Sequence, residues 1–555
     1  MTCSKSALSQ PEVPLVSVEH LAFSYPGAAR PALQDLSLSV RRGEFVLLLG
    51  GTGSGKTTLL KLMKHIIAPF GERRGEIRLG GKEVSQLSKE QLAGEVGYLF
   101  QHTQDQLCMP TPLEEMAFGL RQLGVEPAAI SRRCGELSCY FGMEPWLDTP
   151  MDQLSGGQRQ LTALASVLAA DPSLLLLDEP TAQLDPVHSR SFLQQLLRLH
   201  RDHNMTVLAV LHQPESIFFQ ADRVVVLEQG KLLFSGTPQA VADDLGIHKH
   251  PLLFALPAGC RAVQTLGYPP SRGKDSLSEE DLSKLEAKPL AAASFSSPLL
   301  QLKQVTAGYP SLSRPVLREV NLTLSAGEIF VLLGANGCGK TTLLKAVAGL
   351  VPLFSGSIRL AGEKSTLWRP TAFAQVGYLP QDPMELFDAD RLDEDLIGYG
   401  KTRGFTQAQV EQLLEQPLFS PLQSVWAQNP LDLSGGQRQL AALAKLMLKK
   451  PKLLLLDEPG KGLDAAASAR LGEQLTRLTE RGIAILISCH DPDFAARYGH
   501  SCGFLFHGQL LPPEPPESFF AGNRFYLTSL QQYLPANRRI ALLPEQLQKK
   551  EGGSP

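Results

Sequence analysis

The sequence predicts an α/β protein built as two tandem copies of one domain, each a mostly parallel sheet with flanking helices. Three observations predict it. The string LSGGQRQL occurs twice in full, at 154–161 and 433–440. Other marked residues recur in the same order at nearly constant spacing. Lys56 and Lys340 lie 284 apart, Gln101 and Gln381 280, Asp178 and Asp457 279, and His212 and His490 278. A shared offset of this kind is the mark of a duplicated domain. Finally, apolar runs such as FVLLLG, LLLLD and VLAVLH are bounded by turn residues, the pattern of buried parallel strands.

The 555 residues suit two domains, since a single core rarely grows past a few hundred residues. Residues 1–13 read as an N-terminal tail, 14–246 as the first domain, 247–297 as a linker, 298–538 as the second domain, and 539–555 as a C-terminal tail. The linker is assigned from the polar, small-residue stretch SRGKDSLSEEDLSKLEAKPLAAASFSS (271–297), with room for one short helix capped by Ser278. Hydrophobic residues make up 43% of the chain and the formal net charge is -3, so no global attraction to nucleic acid or anionic lipid is expected. The N-terminus lacks the pattern of a signal peptide, and no run approaches ~18 apolar residues, so a cytoplasmic chain without membrane insertion is expected. Eight cysteines without CxxC spacing argue against zinc, iron–sulfur clusters and a disulfide framework.

GGTGSGKT (50–57) and GANGCGKT (334–341) each follow a strand-like run and precede a helix-compatible one. Glycines at such a turn let backbone N–H groups close on phosphate oxygens, the lysine reaches the β- and γ-phosphates, and the threonine hydroxyl can ligate magnesium. The candidate nucleotide-binding residues are therefore Gly50, Gly51, Gly53, Ser54, Gly55, Lys56, Thr57 and Thr58, with Gly334, Asn336, Gly337, Cys338, Gly339, Lys340, Thr341 and Thr342 in the second copy. Cys338 stands where the first loop has Ser54. Convergent N–H donors and a nearby lysine are conditions that favour its thiolate; the alternative is that the loop accepts either residue, since serine and cysteine are similar in size.

LLLLDEP ends at Pro180 and again at Pro459. Downstream of a phosphate loop, Asp178 and Asp457 can hold Mg²⁺, while Glu179 and Glu458 can polarise an attacking water. His212 and His490 follow further apolar runs, where a histidine can contact a γ-phosphate. Tyr25 and Tyr309, upstream of the two loops, are candidates to stack on adenine.

Together these residues resemble the nucleotide-binding domains of the ABC ATPase superfamily, of which LSGGQ is the signature. The resemblance covers nearly the whole chain and implies two P-loop NTPase domains of ABC type, each with a helical signature subdomain, binding ATP and Mg²⁺. In that family the two domains pair head to tail, so each ATP lies between one phosphate loop and the opposite signature. By that resemblance, one site combines Lys56, Thr57, Gln101, Asp178, Glu179 and His212 with Ser434, Gly435, Gly436 and Gln437. The other combines Lys340, Thr341, Gln381, Asp457, Glu458 and His490 with Ser155, Gly156, Gly157 and Gln158. Gln101 and Gln381 would join Thr57, Asp178, Thr341 and Asp457 around magnesium, and Glu179, His212, Glu458 and His490 would be catalytic. Two departures stand out: Leu161 and Leu440 replace a frequent arginine, and Gln183 replaces a small residue.

The stretches YLFQHTQDQLCMPTPLEEMAFGL (98–120), YLPQDPMELFDADRLDEDL (378–396), PGKGLD (459–464) and FYLTSLQQY (525–533) resemble the ATPases of energy-coupling factor importers. This implies a peripheral protein on the cytoplasmic side of the cell membrane, with a transmembrane coupling subunit and a substrate-binding membrane subunit as partners and a vitamin or transition-metal ion as cargo. The alternative is a soluble tandem ABC ATPase acting on ribosomes or nucleic acid. Such proteins carry a long charged arm, a cysteine cluster or zinc-binding insertions, none of which this sequence has.

Overall fold

A computed structural model describes residues 13–28, 30–211, 214, 217–275, 277–289, 295, 297–310, 314–364, 375–524, 526–536 and 539–550. The chain divides into two compact units, Met1–Leu256 and Pro257–Pro555. In chain order the strands of the first are β1 (Val16–Ser24), β2 (Leu33–Val40), β3 (Phe45–Leu49), β4 (Glu72–Leu79), β5 (Lys82–Glu83), β6 (Val96–Leu99), β7 (Leu174–Asp178), β8 (Thr206–Val210), β9 (Arg223–Glu228) and β10 (Lys231–Gly236). They form an antiparallel sheet in the order β2-β1-β4-β5 and a six-stranded sheet in the order β10-β9-β3-β8-β7-β6, parallel except for β10.

Each sheet follows from its side-chain pattern. All five residues of β3 and of β7 are buried, as central parallel strands covered on both faces require. In β2, Leu36, Leu38 and Val40 point inward while Ser37 and Ser39 stay exposed. That period of two leaves one face for the core. The core packs Leu59, Leu60 and Met63 of the helix Lys56–Met63 among Val46 and Leu48 of β3 and apolar residues of β1 and β2. The helix that follows the phosphate loop is thus held by both sheets.

The second unit repeats this plan. Its strands are β11 (Leu285–Ala287), β12 (Pro298–Ala307), β13 (Leu317–Ser325), β14 (Ile329–Leu333), β15 (Leu353–Leu360), β16 (Glu363–Lys364), β17 (Val376–Leu379), β18 (Leu453–Asp457), β19 (Ala484–Ser488), β20 (Ser501–Phe506), β21 (Gln509–Leu510) and β22 (Leu547–Lys549). The sheet orders, β13-β12-β15-β16 and β17-β18-β19-β14-β20-β21, reproduce those of the first unit strand for strand. Each unit also carries three helices of the expected helical subdomain: Pro112–Gln122, Pro127–Phe141 and Gly156–Ala169, then Leu392–Thr402, Gln407–Glu415 and Gly435–Met447.

One pair of expectations needs correction. Residues 257–275 and 277–289 of the stretch read as a linker and residues 539–550 of the stretch read as a C-terminal tail fold together within the second unit. Helices Ala258–Thr265, Glu279–Ser283 and Ser529–Tyr533 surround a small core of Ala262, Val263, Leu266, Leu282, Leu285, Leu530, Leu534 and Leu547. There β11 pairs antiparallel with β22, setting Leu285 opposite Lys549. Ser278 does cap its helix, accepting the N–H of Asp281 at 3.1 Å. The polar composition concealed a few leucines that meet partners more than 250 residues away. Leu530 is fully buried in this cluster, so Leu530→Ala should cost about 2–5 kcal/mol. Amide hydrogen exchange should speed up across β11 and β22 and stay unchanged in β14.

Candidate functional site

In each parallel sheet four adjacent strands deliver the chemistry at their carboxyl ends, where open α/β sheets bind ligands. In the first unit β3 runs into the loop at Gly50, β7 ends at Asp178, and β6 ends two residues before Gln101. β8 ends two residues before His212, which itself lies outside the described residues. In the second unit β14, β18, β17 and β19 bring Gly334, Asp457, Gln381 and His490 to the corresponding edge.

Both phosphate loops are wrapped around their own lysine. Lys56 Nζ donates to the carbonyls of Gly50 (2.8 Å) and Gly51 (2.9 Å). Lys340 Nζ donates to Gly334 (2.9 Å) and Ala335 (3.1 Å). Each lysine is 5% exposed. Gly55 and Gly339 precede the helices with φ of 96° and 111°, a left-handed conformation that glycine adopts without strain. A Cβ on Gly55 would also stand 2.6 Å from the Ala32 carbonyl. Tyr25 donates or accepts a hydrogen bond with Thr58 at 3.0 Å, packs edge-on against Phe23, and is 39% exposed beside the loop helix. Tyr309 is half-buried against the second core.

The acid pairs sit differently in the two units. Thr57 Oγ1 donates to Asp178 Oδ1 and the Tyr98 hydroxyl to Asp178 Oδ2, both at 2.9 Å. Burial pushes the Asp178 carboxyl up, against the pull of these two hydrogen bonds. Asp457 instead accepts from the Ser488 hydroxyl at 2.7 Å, which in turn accepts the Glu458 N–H at 2.9 Å. Its Oδ2 and the Tyr378 hydroxyl are buried without a well-formed hydrogen bond. Burial raises the Asp457 carboxyl too, more than Ser488 lowers it.

Glu179 and Glu458 have φ of 50° and 49°, uncommon for residues with a side chain, at a cost of about 1–3 kcal/mol each. The strand-end hydrogen bonds hold them there: Glu179 N–H donates to the Val210 carbonyl (3.1 Å) and Glu458 N–H to that of Ser488 (3.2 Å). Gln101 Nε2 donates to Glu179 Oε2 at 2.7 Å, and Gln381 Nε2 to Glu458 Oε2 at 3.1 Å. Glu458 also meets His490 Nε2 at 2.5 Å and Lys461 Nζ at 3.6 Å. Burial alone would raise its pKa, but His490 and then the charges of Lys461 and Lys340 outweigh it and bring the carboxyl down to about 2.

Ser155 and Ser434 each cap the signature helix in a reciprocal pair. Their hydroxyls accept from Gln158 N–H (3.2 Å) and Gln437 N–H (3.3 Å), and the glutamine carbonyls accept from the serine N–H groups. Gly156, Gly157, Gly435 and Gly436 begin the helices, and a Cβ on Gly157 would come within 2.8 Å of the His188 ring. Leu440 is buried, and Leu161 lines an open cavity of about 310 Å³ beside Ser155. Gln183 pairs with His102.

Sequence reasoning missed Tyr98, Ser488 and Lys461. Tyr98 and Tyr378 share the offset of the glutamines that follow them, and Ser488 is a polar residue closing the otherwise apolar strand ILIS. Both were available signals. Lys461 has Ala182 as its counterpart, so the repeat gave none. The surroundings of Cys338 work against that expectation. Burial pushes its thiol up by more than Lys340 and the loop N–H groups pull it down. A maleimide should therefore label the exposed Cys108 and Cys139 before Cys338, as peptide mapping of a partially modified sample would show.

A family profile described as ABC transporter matches residues 33–182 and 317–461, together more than half of the chain. A curated relative from Bacillus thuringiensis subsp. konkukian, named provisionally as an ABC transporter ATP-binding protein, is 34% identical over 93% of this chain and 95% of its own length. A relative from Streptomyces avermitilis with the same description is 33% identical over 90% and 94%. The solved structure of cbiO1 from Clostridium perfringens, part of the ABC transporter complex cbiONQ, is 28% identical with a TM-score of 0.39, spanning 43% of this chain and 95% of that one. With two complete phosphate loops, two acid pairs and two signatures on two α/β units, the chain belongs to the ABC transporter family, as a tandem ATP-binding protein that is an ATPase.

Proposed function

We propose that this ATPase powers an importer of the energy-coupling factor type, taking up a vitamin or transition-metal ion through separate transmembrane coupling and substrate-binding subunits at the cytoplasmic face of the cell membrane. The residue patterns around Gln101 and Gln381 support this type. One observation supports the coupling: in both units the glutamine side chain hydrogen-bonds the glutamate beside the magnesium-site aspartate. A membrane partner that moves either glutamine loop would thereby move the group that orients the attacking water. No helix among the described residues is long and apolar enough to cross a membrane, so the spanning subunits would be other chains.

The reaction follows from the roles of the side chains. Lys56 and Lys340 neutralise the β- and γ-phosphates of ATP, and loop N–H groups bind phosphate oxygens. By the family resemblance, the signature of the other unit would close off each ATP, Ser434 for the Lys56 site and Ser155 for the Lys340 site. Among the described residues no three His, Cys, Asp or Glu side chains gather as a metal cluster. Each site offers one carboxylate, one hydroxyl and one glutamine side chain, which with phosphate and water could complete a magnesium shell. The unpaired Asp457 Oδ2 fits that role. Thr57, Asp178 and Gln101, and Thr341, Asp457 and Gln381, would hold the ion, which offsets phosphate charge. Glu179 and Glu458 would orient the water; His490 lies beside Glu458, and His212 would take the same role in the first site. His490 and Lys461 hold the Glu458 carboxylate in place for this role.

Replacing both Glu179 and Glu458 by glutamine should lower ATP hydrolysis by ~10²-fold or more while ATP still binds. A near-normal rate would refute the assignment. Ser155→Arg should block labelling of the Lys340 half by a photoreactive ATP analogue, and Ser434→Arg that of the Lys56 half. Loss of label in the half that carries the mutation would rule out the crossed arrangement. The importer reading itself is tested by hydrolysis with and without a co-purified transmembrane subunit. The rate should rise with the subunit; equal rates would count against coupling.

A further inference from the structure

The segment by which the chain enters the second unit and the segment near its end share one small core, and this module is fastened to the helix Pro492–Tyr498. That helix begins two residues after His490. Glu545 Oε1 accepts from Arg261 at 2.8 Å and from Arg497 at 2.9 Å, joining the entering segment, the closing segment and the helix through one carboxylate. Asp493 Oδ1 accepts the N–H of Ser529 at 2.8 Å, a second link between helix and module. On its inner side the helix is set into the core by Phe494, Ala495 and Ala496. It is therefore gripped from two directions, one turn from the histidine that meets Glu458 at 2.5 Å.

We propose that Glu545 is a positioning residue for the second ATP site, holding His490 against Glu458 through Arg497 and the helix Pro492–Tyr498. The proposal rests on the reading of His490 as a residue of that site. Glu545 stays ionised in this role, since Arg497 and then Arg261 outweigh the burial that would raise its carboxyl.

The test is a double-mutant cycle on the full chain. With Glu179→Gln present throughout, so that the second site carries the hydrolysis, Glu545→Ala should lower kcat about fivefold or more with KM for ATP within about twofold, because positioning acts on the reacting geometry and not on nucleotide affinity. On a His490→Ala background it should change the remaining rate less than about twofold, since partners acting as a unit are not additive. Glu545→Asp should recover most of the rate, and Glu545→Gln replaces the alanine variant if that one unfolds. An equal proportional loss on both backgrounds, a change in KM alone, or an unchanged rate would overturn the proposal. A normal rate for His490→Ala alone would instead remove the role of His490, and the proposal's premise with it.

Discussion

The interaction on which both sites depend is the enclosure of a lysine ammonium by the carbonyls of its own loop. Lys56 and Lys340 are almost wholly removed from water, and an ammonium in that position costs several kcal/mol unless it is well solvated by protein. The carbonyls of Gly50 and Gly51, and of Gly334 and Ala335, supply part of that solvation. To present them the loop must curl tightly, which sets the left-handed glycines at 55 and 339 and starts the following helix at the lysine itself. A phosphate arriving there meets a cation already in place and a loop that need not reorganise.

Around that common centre the two units are not chemically alike. Asp178 is held by a threonine of the phosphate loop and a tyrosine, while Asp457 is held by a serine at the end of the neighbouring strand. Glu458 is bound by a glutamine, a histidine and a lysine, and the lysine's counterpart in the first unit is an alanine. Among the described residues, the module built from the entering and closing segments lies in the second unit. The two copies share their phosphate loops, acid pairs and signatures and differ in what supports them.

That division also explains what could be read in the sequence. The phosphate loops, acid pairs, glutamines and signatures are short strings recurring at a shared offset, and the structure sets Gln381, Glu458 and His490 side by side. The tandem α/β plan was equally legible, because a central strand such as FVLLL is apolar at every position. The supports were hidden for a physical reason. The pairing of β11 with β22 joins Leu285 to Lys549, and local composition carries no trace of a partner so remote. Cys338 illustrates the same limit in electrostatics. Its favourable neighbours, Lys340 and the loop N–H groups, are visible in the string NGCGK, but the burial that outweighs them is a property of the fold.

The most direct test of two working nucleotide centres is a calorimetric titration of the full chain with a non-hydrolysable ATP analogue and magnesium. The account predicts two analogue molecules bound per chain, one after Lys56→Ala, one after Lys340→Ala, and none when both are replaced. A single site in the unaltered chain, or two sites surviving the loss of either lysine, would contradict it.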